Sequence, residues 1–187
     1  MNLSRACLTT LDRDFWVFAY GSLMWNPGFP FLESRVAKVH GYHRRFCLRS
    51  RNYRGNAEVP GLVLGLDRGG SCQGVVFKVS LQEAPRVLDY LFEREMLRDS
   101  YHPRWVRATC AEESRPALSF VINRDGIDYA HKLSFELQSK TIAVAVGNRG
   151  SNYDYLESTI QQLDRLAIPD KGLKTLYHQV KAQKREK

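Results

Sequence analysis

Residues 61–79 read G-L-V-L-G-L-D-R-G-G-S-C-Q-G-V-V-F-K-V. Apolar runs at 61–66 and 73–79 flank Arg68-Gly69-Gly70-Ser71. A glycine-rich break between two such runs predicts a β-hairpin, and therefore antiparallel pairing. Upstream, F-W-V-F-A-Y at 15–20 predicts a short buried strand that ends at Gly21 and Ser22, and N-P-G at 26–28 predicts a turn. Residues 35–49 alternate roughly around Gly41. They fit two strands or one bent strand, with the glycine at a bulge. Downstream, strand-like runs at 105–110 and 117–123 are joined by a polar loop containing Pro116, and T-I-A-V-A-V at 141–146 predicts a buried strand.

Helical periodicity takes over at 81–97 and again at 153–167 and 171–184, the last two separated by Pro169. Hairpin signals outnumber strand–helix–strand signals, so the expected class is α+β with a mostly antiparallel sheet. Many short strands and several glycines suit a small barrel with flanking helices. The expected organisation is one domain over 15–187 behind an N-terminal extension at 1–14.

With 187 residues, 43% of them hydrophobic, the chain supports one well-buried core. A charged fraction of 26% is ordinary for a globular protein and argues against disorder. Cys7, Cys47, Cys72 and Cys110 form no C-x-x-C and no zinc spacing, which points to reduced thiols in the cytoplasm. The first residues lack a signal-peptide apolar run, and no stretch reaches membrane-spanning length. The net charge of +8 suits nucleic acid, an acidic partner or an anionic small substrate. The basic tail at 181–187 reads as a solvated helix end.

Within Y-L-F-E-R-E-M at 90–96, periodicity separates two glutamates. Ala84, Val87, Leu88 and Leu91 form one stripe, and Glu95, four residues after Leu91, continues it. Glu93 is turned about 200° from Leu91 and faces water. A carboxylate on the buried stripe is either a desolvated acid–base group or half of a structural ion pair.

Three further stretches carry possible chemistry. In F-A-Y-G-S-L-M-W at 18–25, a strand runs into Gly21-Ser22. The turn either gathers backbone N–H groups for a carboxylate or oxyanion, or is simply a tight turn. A nucleophilic Ser22 is disfavoured, because G-x-S-x-G is absent. Arg54 beside Gly55 suits a ligand carboxylate or a basic loop. V-G-N-R-G-S-N-Y-D-Y-L at 146–156 offers a helix N-terminus for an anion, or Asn152 as its N-cap. His40, His43 and Cys47 do not share a strand face as metal ligands would need to.

Taken together, F-A-Y-G-S-L-M-W-N-P-G-F, R-R-F followed by R-G and P-G, Y-L-F-E-R-E-M and G-N-R-G-S-N-Y-D-Y-L resemble, in this order, the ChaC-like γ-glutamylcyclotransferases of the glutathione-specific branch. The resemblance runs from about residue 15 to 170. It implies a small mixed barrel around a cavity with flanking helices, and no metal or organic cofactor. It also implies that a γ-glutamyl α-amine attacks its own γ-carbonyl, releasing 5-oxoproline and, from glutathione, cysteinylglycine. By resemblance Glu95 is the catalytic acid–base, and Tyr20, Gly21, Ser22 and Leu23 hold the γ-glutamyl moiety through backbone N–H groups. Arg54 matches the R-G arginine and is expected to meet a substrate carboxylate, while Tyr101 and Tyr155 are expected as cavity-lining hydroxyls.

Two positions depart from the usual pattern: Ala19 stands for Gly, and Tyr53 for His or Trp. The second bears on how the cysteinylglycine half is held. The alternatives are a cyclotransferase for another γ-glutamyl amine or dipeptide, and a basic nucleic-acid-binding module. The latter would use the arginines at 44–54 with Tyr42, Phe46 and Tyr53.

Overall fold

The computed structural model describes residues 11–185. The expected 1–14 extension with Cys7 lies outside the described residues up to position 10, as do the last two residues of the basic tail. The chain divides into two compact units, one running to Arg44 and resuming over Leu66–Ile127, the other comprising Arg45–Gly65 and the residues from Asp128 onward.

In the first unit, β1 (Phe15–Ala19) is buried at every residue and pairs antiparallel with β3 (Gly61–Val79), Phe15 opposite Val79 and Ala19 opposite Val75. β2 (Glu33–Ser50) pairs with β4 (Tyr101–Cys110), and β4 with β5 (Glu113–Ile122), both antiparallel. Parallel contacts of β5 with β1 and β3 complete a closed barrel in the order β1-β3-β2-β4-β5. The fold is α+β with a mostly antiparallel barrel.

The stretch at 61–79 is one long strand and not a hairpin. Gly69 (φ 99) and Gly70 (φ 69) take left-handed conformations there. They bend the continuous strand, whose residues 75–79 pair with β1 and whose Leu66 pairs with β5. The His43 ring fastens the bend, with Nδ1 2.9 Å from the Gly69 carbonyl. Pro116 lies inside β5, opposite Arg107, and the connecting turn is shorter than the sequence suggests. It sits near the start of the strand, before Leu118 pairs with β1, where a missing N–H is tolerated.

β2 is a single strand. Ala37 and Val39 are buried before Gly41, whereas Arg44, Phe46, Leu48 and Ser50 are buried after it. The parity changes at Gly41, whose φ of 82 marks the slip. A one-residue slip exchanges the two faces of a strand.

Helix α1 (Ala84–Glu95) follows a 3-10 turn capped by Ser80, whose Oγ accepts from Glu83 N at 3.3 Å. Its buried stripe is Ala84, Val87, Leu88 and Leu91.

The second unit contains α2 (Phe135–Val144), the two-residue strands β6 (Val146–Gly147) and β7 (Gly150–Ser151), α3 (Asn152–Arg165) and α4 (Lys171–Arg185). The expected strand at 141–146 is the end of α2, its C-cap Ala145 and the first residue of β6. Ser139, Ile142 and Ala145 are buried at a spacing of three, while Val144 is 46% and Val146 58% exposed. Alternation would have buried Ile142, Val144 and Val146 together, so packing at helical spacing overrides the β preference of the valines.

Asn152 is not the N-cap of α3. Ser151 caps it, in a reciprocal capping box with Asp154. Asn152 is fully buried and spans the Leu62 backbone, accepting from its N–H at 2.6 Å and donating to its carbonyl at 2.7 Å.

Candidate active site

In the first unit, β1 delivers the chain into Tyr20-Gly21 and then a 3-10 turn over Ser22–Met24. Three successive carbonyls entering this turn are engaged. Tyr20 O accepts from Arg44 Nη1 at 2.8 Å, Gly21 O from Met24 N at 2.9 Å, and Ser22 O from Asn26 N at 2.9 Å. In a trans peptide the N–H points away from the preceding C=O. The amides of Gly21, Ser22 and Leu23 are therefore aimed away from those carbonyls, and they donate to no acceptor among the described residues. Successive free amides of this kind make a concavity for a negatively charged oxygen.

The side chains of the same segment serve the fold. Tyr20 is buried and its hydroxyl donates to Phe120 O at 2.7 Å. Leu23 is buried as well. Tyr101 is buried at the first residue of β4, opposite Ile122.

Glu95 is the last residue of α1, and its side chain is 16% exposed, whereas Glu93 faces solvent. Its neighbour Arg94 was assigned no role from the sequence, yet it links the helix end to the turn. Arg94 Nε lies 3.2 Å from Glu95 Oε1, and Nη2 donates to Ser22 Oγ at 2.9 Å. Nη1 donates to Asn26 O at 2.8 Å and to the Tyr90 hydroxyl at 2.7 Å. The carboxylate and the Ser22 hydroxyl are thus held within the span of one guanidinium.

Arg44 was also missed, being read only as part of a basic cluster. It is buried at 8% exposure and, besides Tyr20, donates to Gln73 O and contacts Cys72 Sγ at 3.6 Å. A signal for it was available in the possible bulge at Gly41, which decides whether Arg44 or Arg45 turns inward. Phe46 is buried too, packed edge-on against Tyr155, so Arg44 and Phe46 are not at a surface where nucleic acid would stack.

In the second unit, Arg54 and Tyr155 come together. The Arg54 guanidinium lies over the Tyr155 ring at 5.4 Å, and its Nη1 donates to Ser151 O at 3.2 Å. Burial pushes the Arg54 pKa down; the phenol of Tyr155 and the carboxylate of Asp154 work against that, and the Arg149 charge adds to it. The Arg54 loop is bonded to the 147–151 segment, with Arg149 N donating to Tyr53 O at 3.0 Å and Asn148 N to Asn52 O at 2.9 Å. A Cβ on Gly147 would stand 2.5 Å from the Tyr53 carbonyl, so only glycine permits this approach. Tyr53 in turn lies under Arg149, 4.0 Å from its guanidinium.

His43 is committed to Gly69, and among the described residues no group of three His, Cys, Asp or Glu is arranged to hold a metal ion. No helix among them is long and apolar enough to cross a membrane.

The family model described as ChaC-like protein matches residues 15–183. A glutathione-specific gamma-glutamylcyclotransferase of Escherichia coli (strain K12) is 36% identical over 171 residues, covering 91% of this chain and 74% of the relative. A glutathione-specific gamma-glutamylcyclotransferase 1 of Danio rerio is 35% identical, covering 84% and 82%. Among solved structures, a glutathione-specific gamma-glutamyl cyclotransferase from yeast superposes with a TM-score of 0.88 at 22% identity, covering 94% of this chain and 99% of that one.

Proposed function

The chain belongs to the ChaC-like family of γ-glutamylcyclotransferases, and from that premise we propose that it converts glutathione to 5-oxoproline and cysteinylglycine. The observation that carries the reading to particular residues is the placement of Glu95. A largely buried carboxylate at a helix end is joined through one guanidinium to a turn bearing unengaged amides.

The chemistry needs both parts. The α-amine of glutathione is largely protonated at neutral pH and is not nucleophilic, so a base must take a proton from it. Glu95 is that base. The freed amine attacks the γ-carbonyl, the new C–N bond closes the lactam, and the amide bond to the cysteine nitrogen breaks. Glu95 passes that proton to the departing nitrogen, the ring nitrogen gives up a second proton as the lactam forms and the released amine takes it, so cysteinylglycine leaves as its ammonium and no water is consumed. The amides of Gly21, Ser22 and Leu23 hold negatively charged oxygen of the γ-glutamyl moiety, and the reaction gains from folding its own nucleophile into place.

Arg54 is assigned to a substrate carboxylate, and Tyr101 and Tyr155 to substrate-facing hydroxyls, on the strength of the family motifs they match. Glutathione is anionic, and the net charge of +8 favours its approach. We place the reaction in the cytoplasm, where a buried thiol such as that of Cys110 stays reduced.

Incubating the purified protein with glutathione and separating the products tests the reading. Equal amounts of 5-oxoproline and cysteinylglycine are expected, and unchanged glutathione rejects it. The Tyr53–Arg149 stack supports a second reading, in which the leaving amine differs from cysteinylglycine. A panel of γ-glutamyl amines and dipeptides, compared by kcat/KM, separates the two.

A further inference from the structure

We infer that Arg94 is a positioning residue, which fixes the Glu95 carboxylate relative to the amide turn at Gly21–Leu23. The inference rests on the cyclotransferase reading and adds to it a residue that acts through another. Neighbours one apart on a helix do not face each other. Even so, Arg94 Nε lies 3.2 Å from Glu95 Oε1, with the two side chains 14% and 16% exposed.

The rest of the guanidinium is spent on the other element. Nη2 reaches Ser22 Oγ at 2.9 Å, and Nη1 reaches Asn26 O at 2.8 Å and Pro27 O at 3.4 Å. Asn26 N in turn donates to Ser22 O, so these contacts hold the far end of the same turn. Tyr90, one helical turn back, steadies the guanidinium with its hydroxyl at 2.7 Å. Because Ser22 accepts from Arg94, its own O–H remains a donor for the substrate.

A planar fork with several donors can hold a helix end and a turn in one geometry, which a point charge cannot. Misplacing a reacting group by an ångström costs about 100-fold in rate. Lysine at 94 keeps the charge but spans neither Glu95 with Ser22 nor Ser22 with Asn26 together.

The test compares Arg94→Met and Arg94→Lys with wild type, using glutathione turnover and thermal unfolding. Arg94→Met is expected to lose about 100-fold in kcat, and Arg94→Lys at least about 10-fold, with KM within about threefold of wild type. Should Arg94→Met fail to fold, Arg94→Lys decides alone. Wild-type kcat in folded Arg94→Lys, or a loss confined to KM, overturns the inference.

A readout apart from turnover separates this inference from the proposed function. The backbone amide resonances of Gly21, Ser22 and Leu23 are expected to shift or broaden in Arg94→Lys. Resonances unchanged from wild type overturn the positioning role whatever the substrate proves to be. If wild type forms no 5-oxoproline while those resonances move, the proposed function fails and the positioning role stands.

Discussion

Arg44 Nη1 donates to the Tyr20 carbonyl at 2.8 Å, and that bond sets the direction of the Gly21 amide. A buried cation on the carbonyl also polarises the peptide, making the amide on its far side a stronger donor. Replacing Arg44 by Met leaves the Tyr20 and Gln73 carbonyls without this donor, at a cost of about 1–3 kcal/mol for each one left unsatisfied. Urea unfolding reads that loss. Below the melting range the folded variant is expected to turn over glutathione about 10- to 100-fold more slowly, since one aimed donor in such a turn is worth that much or more. Wild-type turnover in folded Arg44→Met would show that the amide needs no such support.

Asn152 makes a second prediction, one of stability alone. Its side chain satisfies both polar groups of the buried Leu62 backbone. Asn152→Ala orphans a donor and an acceptor together, and a loss of roughly 2–5 kcal/mol is expected in urea unfolding. Asn152→Asp keeps the acceptor but loses the donor to Leu62 O, and its ionised form is also penalised by burial. It should not restore wild-type stability. A change under about 0.5 kcal/mol in Asn152→Ala would mean that other groups replace these bonds.

Asp14 is one of the carboxyls whose contribution to the pH dependence of stability has a clear sign. The Leu81 backbone N–H, and after it the Lys78 ammonium, hold the Asp14 carboxyl below its ordinary value. A depressed folded-state value stabilises the fold above the unfolded carboxylate range, and the contribution disappears as pH falls through the folded value. Asp14→Asn should therefore unfold at lower urea than wild type at pH 7. The gap should narrow below about pH 4, the ordinary aspartate range. A gap independent of pH would assign the difference to something other than this charge.

What the sequence disclosed follows from the kind of signal each residue leaves. The stripe Ala84, Val87, Leu88 and Leu91 is local and periodic, and it placed Glu95 inward and Glu93 outward with no knowledge of their neighbours. The antiparallel class was legible from glycine-punctuated apolar runs, although the decisive run proved to be one bent strand. Gly69 and Gly70 look the same whether a chain reverses or bends; the partners of residues 75–79 decide, and those lie far away in sequence.

The 141–146 run was misread because Thr, Ile and Val favour strands locally, while burial at Ser139, Ile142 and Ala145 is set by packing. Ser151 displaced Asn152 as the cap because Leu62, some ninety positions away, claims the asparagine. Arg44 and Arg94 were hidden for the same reason. Their chemistry lies in long-range contacts with a turn that their own neighbourhoods do not mention.

We propose above all that Glu95 moves the proton in a lactam-forming cleavage. The most direct test is 5-oxoproline production from glutathione by Glu95→Gln beside wild type, with circular dichroism and thermal unfolding confirming that both are folded. Glutamine keeps the shape and the hydrogen bonding of the site but cannot take the proton. The expected result is a folded variant whose rate falls by at least about 100-fold, the low end for a general acid–base group. A folded Glu95→Gln that still forms 5-oxoproline at the wild-type rate would contradict it.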